Sequence, residues 1–438
     1  MTEDQRTTED QRTIVDQRTT EDQRRSAAPA PKARRRDARI DALRGIALMG
    51  ILIVNLPFFA MPYGFAGGWW RQADALHLGT LSAFLIQALF ESKFILIFAF
   101  LFGMGAAGQI AAGGRRRFLV RMAVLAGLGV LNAAFVFEAD ILLPYAILGL
   151  VLLPALGWRT RTLVTVAGVL WAVAILNHAL FAIYIATATP DLGLSEAGRI
   201  ALMRDGGFLP IAAQRLRDWL AFSQMSVPAL WPMTASAFCL GICAFRHKDA
   251  LLATGDSPLM AAARVVVWPA LVGNLAYGAL CLAPADWAGG NVFLVTLALR
   301  PVFAPLVSFV VFAGLMALLA QPRWRGGRDF FAASGRMSLS IYMLQGVIGS
   351  LLFFGYGAGL YAEVSLQGVL ALSLALFLAL ALAAAGWSAR FGAGPLEAVL
   401  ARILSWATNR ATDRAAARPH APARAAGQAR PEAGPMRG

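Results

Sequence analysis

Apolar runs of near-constant length recur along the chain after residue 42, each closed by a short polar stretch. They lie near 43–62, 93–112, 118–137, 141–157, 162–187, 227–245, 260–283, 291–320, 337–356 and 366–387. About 20 helical residues cross a hydrocarbon core. The pattern therefore predicts an all-α fold, a polytopic transmembrane helical bundle of about ten spans. The run 141–157 is the shortest and holds Pro144 and Pro154. The segment 78–90, interrupted by Gln87 and Glu91, reads as an interfacial helix ahead of the second crossing. The long connection 188–226 has helix-like stretches at 195–204 and 210–222. In the second, Ile211, Leu216 and Leu220 stand apart from Arg215, Arg217 and Asp218, which predicts an amphipathic helix on the outer leaflet.

Charge orients this bundle. The chain is 58% hydrophobic and only 15% charged, too apolar for a soluble fold. Basic clusters fall in alternate loops: Arg115–Arg117, then Arg159 and Arg161, Arg246 and Lys248, and Arg323, Arg325 and Arg328. The intervening loops carry Glu138, Asp140, Asp286 and Glu363. That alternation predicts a lipid-bilayer partner and both termini cytoplasmic. The net charge of +14 flanks apolar runs, which argues against nucleic acid. Residues 2–25 are four polar hexads built on Thr-Glu-Asp-Gln-Arg-Thr. Together they organise the chain as a disordered tail 1–38, an N-terminal transmembrane half 39–225, a C-terminal transmembrane domain 226–408 and a disordered basic tail 409–438. Trp69, Trp70, Trp219, Trp231, Trp268 and Trp287 fall near span ends, as an interfacial aromatic belt would.

A few polar side chains sit where hydrocarbon makes them costly. The first span carries Asp41 and Arg44, spaced to pair, and Asn55 eleven residues further on nearly the same face. At ~1.5 Å per residue Asn55 lies roughly 16 Å deeper than Arg44, near mid-membrane. An amide at that depth needs a partner and faces protein rather than lipid. Glu91 and Lys93 stand at the outer mouth of the second span, suited to an anionic or carbonyl group or to anchoring. Arg300, before Pro301 and Pro305, predicts a broken helix with a cation able to hold a phosphate or carboxylate, or to pair with an acid such as Asp41 or Asp140. Arg264 is a second embedded cation. His178 reads as a hydrogen-bonded interior histidine. No two histidines have metal-ligand spacing, so no metal site is expected.

These residues also carry a resemblance. Arg39-x-Asp41-x-Leu43-Arg44-Gly45-Ile46…Asn55 resembles the opening of the YeiB family of bacterial inner-membrane proteins, which ends in a domain of unknown function. Glu91-Ser92-Lys93-Phe94, Asp140-Ile141-Leu142…Tyr145-Ala146, Gly335-Arg336-Met337-Ser338-Leu339-Ser340-Ile341-Tyr342…Gln345 and Gly394-Pro395-Leu396-Glu397 resemble its later blocks. Asn132 stands where that family has a histidine, and Ala398 where it has tryptophan. The Asp-x-x-Arg-Gly…Asn core is also similar to the first helix of the heparan-alpha-glucosaminide N-acetyltransferases. That similarity implies acyl transfer from a cytoplasmic acyl-coenzyme A to an envelope glycan or lipid. In that scheme Asn55 orients the reacting carbonyl and Asp41 and Arg44 guard the donor entrance. His77, His178, Asp140 and Glu91 are candidate bases, and Tyr145, Arg300, Tyr342 and Gln345 bind substrate. The alternative is a transport-associated protein without covalent chemistry, the same polar groups lining a solute path.

Overall fold

The computed structural model describes residues 37–62, 77–112, 114–187, 194–251, 257–280, 283 and 292–416. The hexad tail, most of the basic C-terminal tail, Trp69, Trp70, Asp286 and Trp287 lie outside them. Among the described residues every regular element is helical. The described residues from Arg39 onward form one compact unit.

The long apolar helices are α1 (Ala38–Ala60), α3 (Lys93–Ala111), α4 (Arg115–Phe135), α6 (Thr160–Thr187), α8 (Phe208–Arg246), α9 (Pro258–Ala279), α10 (Val292–Ala320) and α13 (Leu366–Phe391). Counting α3 with the preceding α2 (Leu78–Leu85), these make eight helices long and apolar enough to cross a membrane among the described residues. Two expected spans differ. The fourth, α5 (Leu142–Val151), has only 10 residues. It ends at Leu152, after which Pro154 opens a separate 3-10 turn. The ninth, α12 (Ser338–Phe353), is bent by 77° from the segment Pro322–Arg336, which contains α11 (Arg325–Arg336), and counts as a crossing only as part of that bent pair. Between α6 and α8 lies α7 (Glu196–Asp205), and α14 (Pro395–Ala416) follows α13.

Helix α1 is the hub. Of its apolar stretch 72% is buried, against 22% for α6 and α9, whose outer faces carry Val169, Leu176, Val265 and Trp268. Close approach needs small residues. A side chain on Gly45 would meet the Phe331 carbonyl of α11, and one on Gly335 would meet the Asp41 carbonyl of α1. Gly103 of α3 abuts Phe238 of α8, and Gly241 of α8 abuts Phe100 of α3. Gly108 of α3 meets Phe245 further along both helices, so α3 and α8 run in the same direction, whereas Gly50 of α1 meets Phe94 and Gly105 faces Arg44, so α1 is opposed. One end of the bundle thereby collects Arg39, Arg159, Arg246 and Arg323 at helix termini; the other collects the acids Glu91, Glu138, Asp140 and Glu363, with Arg300, Arg215 and Arg204 beside the first, second and last of them.

Three expectations are corrected. The segment 78–90 is not a surface helix: Ile86, Gln87 and Ala88 are buried, packed against α9 and ending in a π-turn at Ile86–Phe90. The stretch 210–222 is continuous with the sixth span in the 39-residue α8, through Pro228 and Pro232. It turns Arg215 and Asp218 inward, at 1% and 9% exposed, while Arg217 stays exposed and Leu209 is 74% exposed. The reason is pairing. Arg199 of α7 donates to both Asp218 oxygens at 3.0 and 2.6 Å, and Arg215 donates to the Phe135 carbonyl and lies 3.8 Å from Glu138. Third, α10 is unbroken at Pro301 and Pro305. Pro305 has no N–H to offer the Pro301 carbonyl four residues back; the Trp171 indole donates to it instead, at 2.6 Å. Asn177 does the same for the Pro228 carbonyl freed by Pro232, also at 2.6 Å.

Candidate functional site

Five of the residues singled out by sequence converge on one cavity of about 150 Å³ near the acidic end: Asn55, Glu91, Asp140, Tyr145 and Arg300. Helices α1, α3, α5, α8 and α10 wall it. Trp231 lines it too, so this tryptophan belongs to the cavity rather than to an interfacial belt.

The π-turn aims Glu91. Its widened ring, with the Glu91 N–H on the Ile86 carbonyl at 2.8 Å, ends in Ser92 at φ +64°, a left-handed conformation costly for a non-glycine residue. Carbonyls released by the turn are taken up from behind. Lys93 donates to Gln87 O, Asn274 donates to Ala88 O, and Tyr277 donates to the Gln87 side chain at 2.7 Å. Lys93 is fully buried beside the Tyr277 ring, so it braces the turn and does not line the cavity. Glu91 Oε1 pairs with Arg300 at 3.3 Å, their side chains 8% and 12% exposed. Glu91 Oε2 and Arg300 Nε have no hydrogen-bond partner among the described residues.

Asp140 sits between α4 and α5. Its Oδ1 accepts from Asn132 at 2.8 Å and from the Tyr342 hydroxyl at 3.3 Å, and its Oδ2 accepts from the Leu143 N–H at 2.8 Å. Burial nonetheless outweighs these bonds and pushes its pKa up to about 6. Asn132, at the position of the family's histidine, orients this carboxylate through its amide. Tyr145 donates to the Ile95 carbonyl at 2.9 Å. Asn55 is half-buried, and its amide has no hydrogen-bond partner among the described residues. It also faces a smaller cleft lined by Asn132, Tyr342 and Gln345, the last reaching the Leu48 carbonyl at 3.5 Å.

The remaining candidates lie elsewhere. Asp41 and Arg44 form the expected pair at 2.9 Å, at the basic end. His77 is exposed at the start of α2 and does not line the cavity. His178 is fully buried, with Nδ1 on the Ala174 carbonyl at 2.8 Å, and does not line it either. Arg264 is exposed on α9. Ser340 and Glu397 act together as a cap: Glu397 accepts from the Leu339 and Ser340 N–H groups and from the Ser340 hydroxyl at the N-terminus of α12. The buried set of Arg199, Asp218, Arg215 and Glu138 was missed by sequence reasoning. Its only local signal is Gln214 and Asp218, spaced i,i+4 and bonded at 3.0 Å.

Residues 247–408 match the family model described as a protein of unknown function, DUF418. The chain is YeiB-like and carries a DUF418 domain. It is similar to the uncharacterized protein YxaH of Bacillus subtilis (strain 168), at 26% identity over 397 residues covering 82% of this chain and 91% of that protein. The uncharacterized protein YeiB of Escherichia coli (strain K12) is 32% identical over 117 residues, 26% of this chain and 30% of that protein. No solved structure matches. With its apolar helices, this YeiB-like chain is a multi-pass membrane protein.

Proposed function

We propose that this YeiB-like protein is an acyltransferase of the bacterial inner membrane, with its basic end cytoplasmic and its acidic end facing the envelope. One observation carries the reading. The Asn55 amide, without a partner among the described residues, faces a cavity that also holds a carboxylate of raised pKa, Asp140, and the Glu91–Arg300 pair. The donor is an acyl thioester such as an acyl-coenzyme A, and the acceptor a hydroxyl or amine of an envelope glycan or lipid. The acceptor heteroatom attacks the thioester carbonyl carbon while its proton passes to Asp140. The new C–O or C–N bond forms, the C–S bond breaks, and the departing thiolate takes the proton from Asp140. Asn55 and Arg300 stabilise the negative charge that develops on the carbonyl oxygen. Asp140, with a pKa of about 6, is mostly ionised near neutral pH yet basic enough to accept a proton.

A second reading, a solute path without covalent chemistry, draws on a different observation: Met233 lines both this cavity and an apolar one nearer the basic end. Incubation of the purified protein with radiolabelled acetyl-coenzyme A and an envelope extract separates the two. Label transfer that disappears in Asn55→Ala, with the thermal midpoint unchanged, supports the enzyme. No donor binding and no transfer by the folded wild type sinks it and leaves the path.

A further inference from the structure

The second cavity is larger, about 350 Å³, within the range of small-ligand sites. Its walls include Leu96 and Phe100 of α3, Ala237 and Leu240 of α8, and Phe309 and Phe312 of α10. The two hydroxyls on its wall are already engaged: Ser236 donates to the Ala167 carbonyl at 2.8 Å and Ser308 to the Ala304 carbonyl at 2.6 Å. The wall therefore offers an occupant almost nothing but apolar contact. Along α8 the cavity extends from Met233 to His247, roughly 21 Å of helix rise. Met233 is the shared wall with the polar cavity, and methionine is the side chain best able to move aside there.

We infer that the two cavities form one amphipathic site for a single-chain lipid, with the head in the polar cavity and the acyl tail in the apolar one. The charges select the head. Arg300, the one cation lining the polar cavity among the described residues, is paired with Glu91, and Asp140 adds a second carboxylate. An anionic head would meet net negative charge, whereas an uncharged head bearing hydroxyls would find Asn55, Glu91 Oε2 and Asp140 to bond. The occupant is thus a neutral hydroxyl-headed lipid of the monoacylglycerol type. This deepens the acyl-transfer reading by naming the acceptor as a lipid alcohol, and it rests on that reading for the chemistry though not for the binding.

The test is photocrosslinking of the full chain, reconstituted in bilayer nanodiscs, with monopalmitoylglycerol carrying a diazirine near the end of its chain. Adducts are expected on Phe309 or Phe312, which are not among the exposed residues. A tenfold or greater loss is expected in Ala237→Trp, which fills the tail cavity, with Leu240→Phe as a milder second variant. Val169→Trp, on the exposed face of α6, should leave the yield unchanged. Unlabelled monopalmitoylglycerol should compete at least tenfold better than palmitoyl phosphatidylglycerol bearing one chain. Adducts confined to exposed residues such as Val169 and Leu176, or equal yield in both filled variants, overturn the site. Better competition by the anionic lipid overturns the neutral head. Acyl transfer to a water-soluble glycan in place of any lipid would refute this inference while leaving the acyltransferase standing.

Discussion

Replacing Glu91 by Leu strands a guanidinium. Its partner Arg300 is 12% exposed, the two side chains meet at 3.3 Å, and the π-turn fixes where Glu91 points. Removing one member of a buried ion pair costs about 3–5 kcal/mol, because the survivor stays desolvated without compensation. Arg300→Met should cost a similar amount for the converse reason. Replacing both by apolar residues of similar volume removes two desolvation costs together, and such exchanges range from neutral to about 1–4 kcal/mol stabilising. The double variant Glu91→Leu with Arg300→Met should therefore be at least as stable as the wild type. The coupling in the double-mutant cycle should reach several kcal/mol. Equilibrium unfolding in mixed dodecylmaltoside and dodecylsulfate micelles, followed by tryptophan fluorescence, measures all four corners. Single variants that each cost under about 0.5 kcal/mol, and that add without coupling, would mean the pair is solvated and the cavity wall is wrongly drawn. The double variant also separates stability from function: it should fold and yet neither bind donor nor transfer label.

Asp140→Asn should lower acyl transfer by about 10²–10⁴-fold, the usual weight of a general base. In the wild type the rate should rise with pH around a midpoint near 6, and a flat profile from pH 5 to 8 would remove Asp140 from that role. The same shift has a stability sign. The folded pKa lies above the unfolded value of 3.8, so the protonated carboxyl favours the fold; that contribution is complete below pH 3.8 and fades as pH rises to about 6. Gly335→Ala would put a Cβ against the Asp41 carbonyl oxygen and should destabilise by about 1–3 kcal/mol, read as a lowered thermal midpoint; an unchanged midpoint would mean α1 and α11 are less tightly packed. Arg215→Met leaves Glu138, whose pKa burial already raises against the pull of Arg215, without its cation. Loss of about 3 kcal/mol is expected, smaller at pH 4 where Glu138 is protonated; equal losses at pH 4 and pH 8 would show that packing rather than charge holds that corner.

Run length and loop charge were enough to place eight of the ten expected spans, because both are local, but not to tell the short α5 and the bent α12 from full crossings. A stretch of about 20 apolar residues has one good solution in lipid, and basic clusters fall at alternate helix ends whatever the helices pack against. The same locality made the Asp41–Arg44 pair legible, since three residues of helix bring those side chains together. Asn55 was legible as a polar group that had to face protein. What it faces was not. Glu91, Asp140 and Arg300 come from separate helices or loops, and only the packing of α3, α5, α8 and α10 around α1 puts them on one cavity. Lys93 shows the limit most sharply. It is two residues from Glu91 and chemically as eligible, yet the π-turn sends it behind the wall to hold released carbonyls. Arg215 and Asp218 reversed in the same way, from an outer-leaflet face to inward pairs, because Arg199 and Glu138 arrive from elsewhere in the chain. Sequence by itself thus determined most of the helices long and apolar enough to cross a membrane and which polar groups need partners. Tertiary structure alone decided the partners, because a side chain's neighbours across a helix interface depend on crossing, register and turn geometry that no short-range pattern encodes.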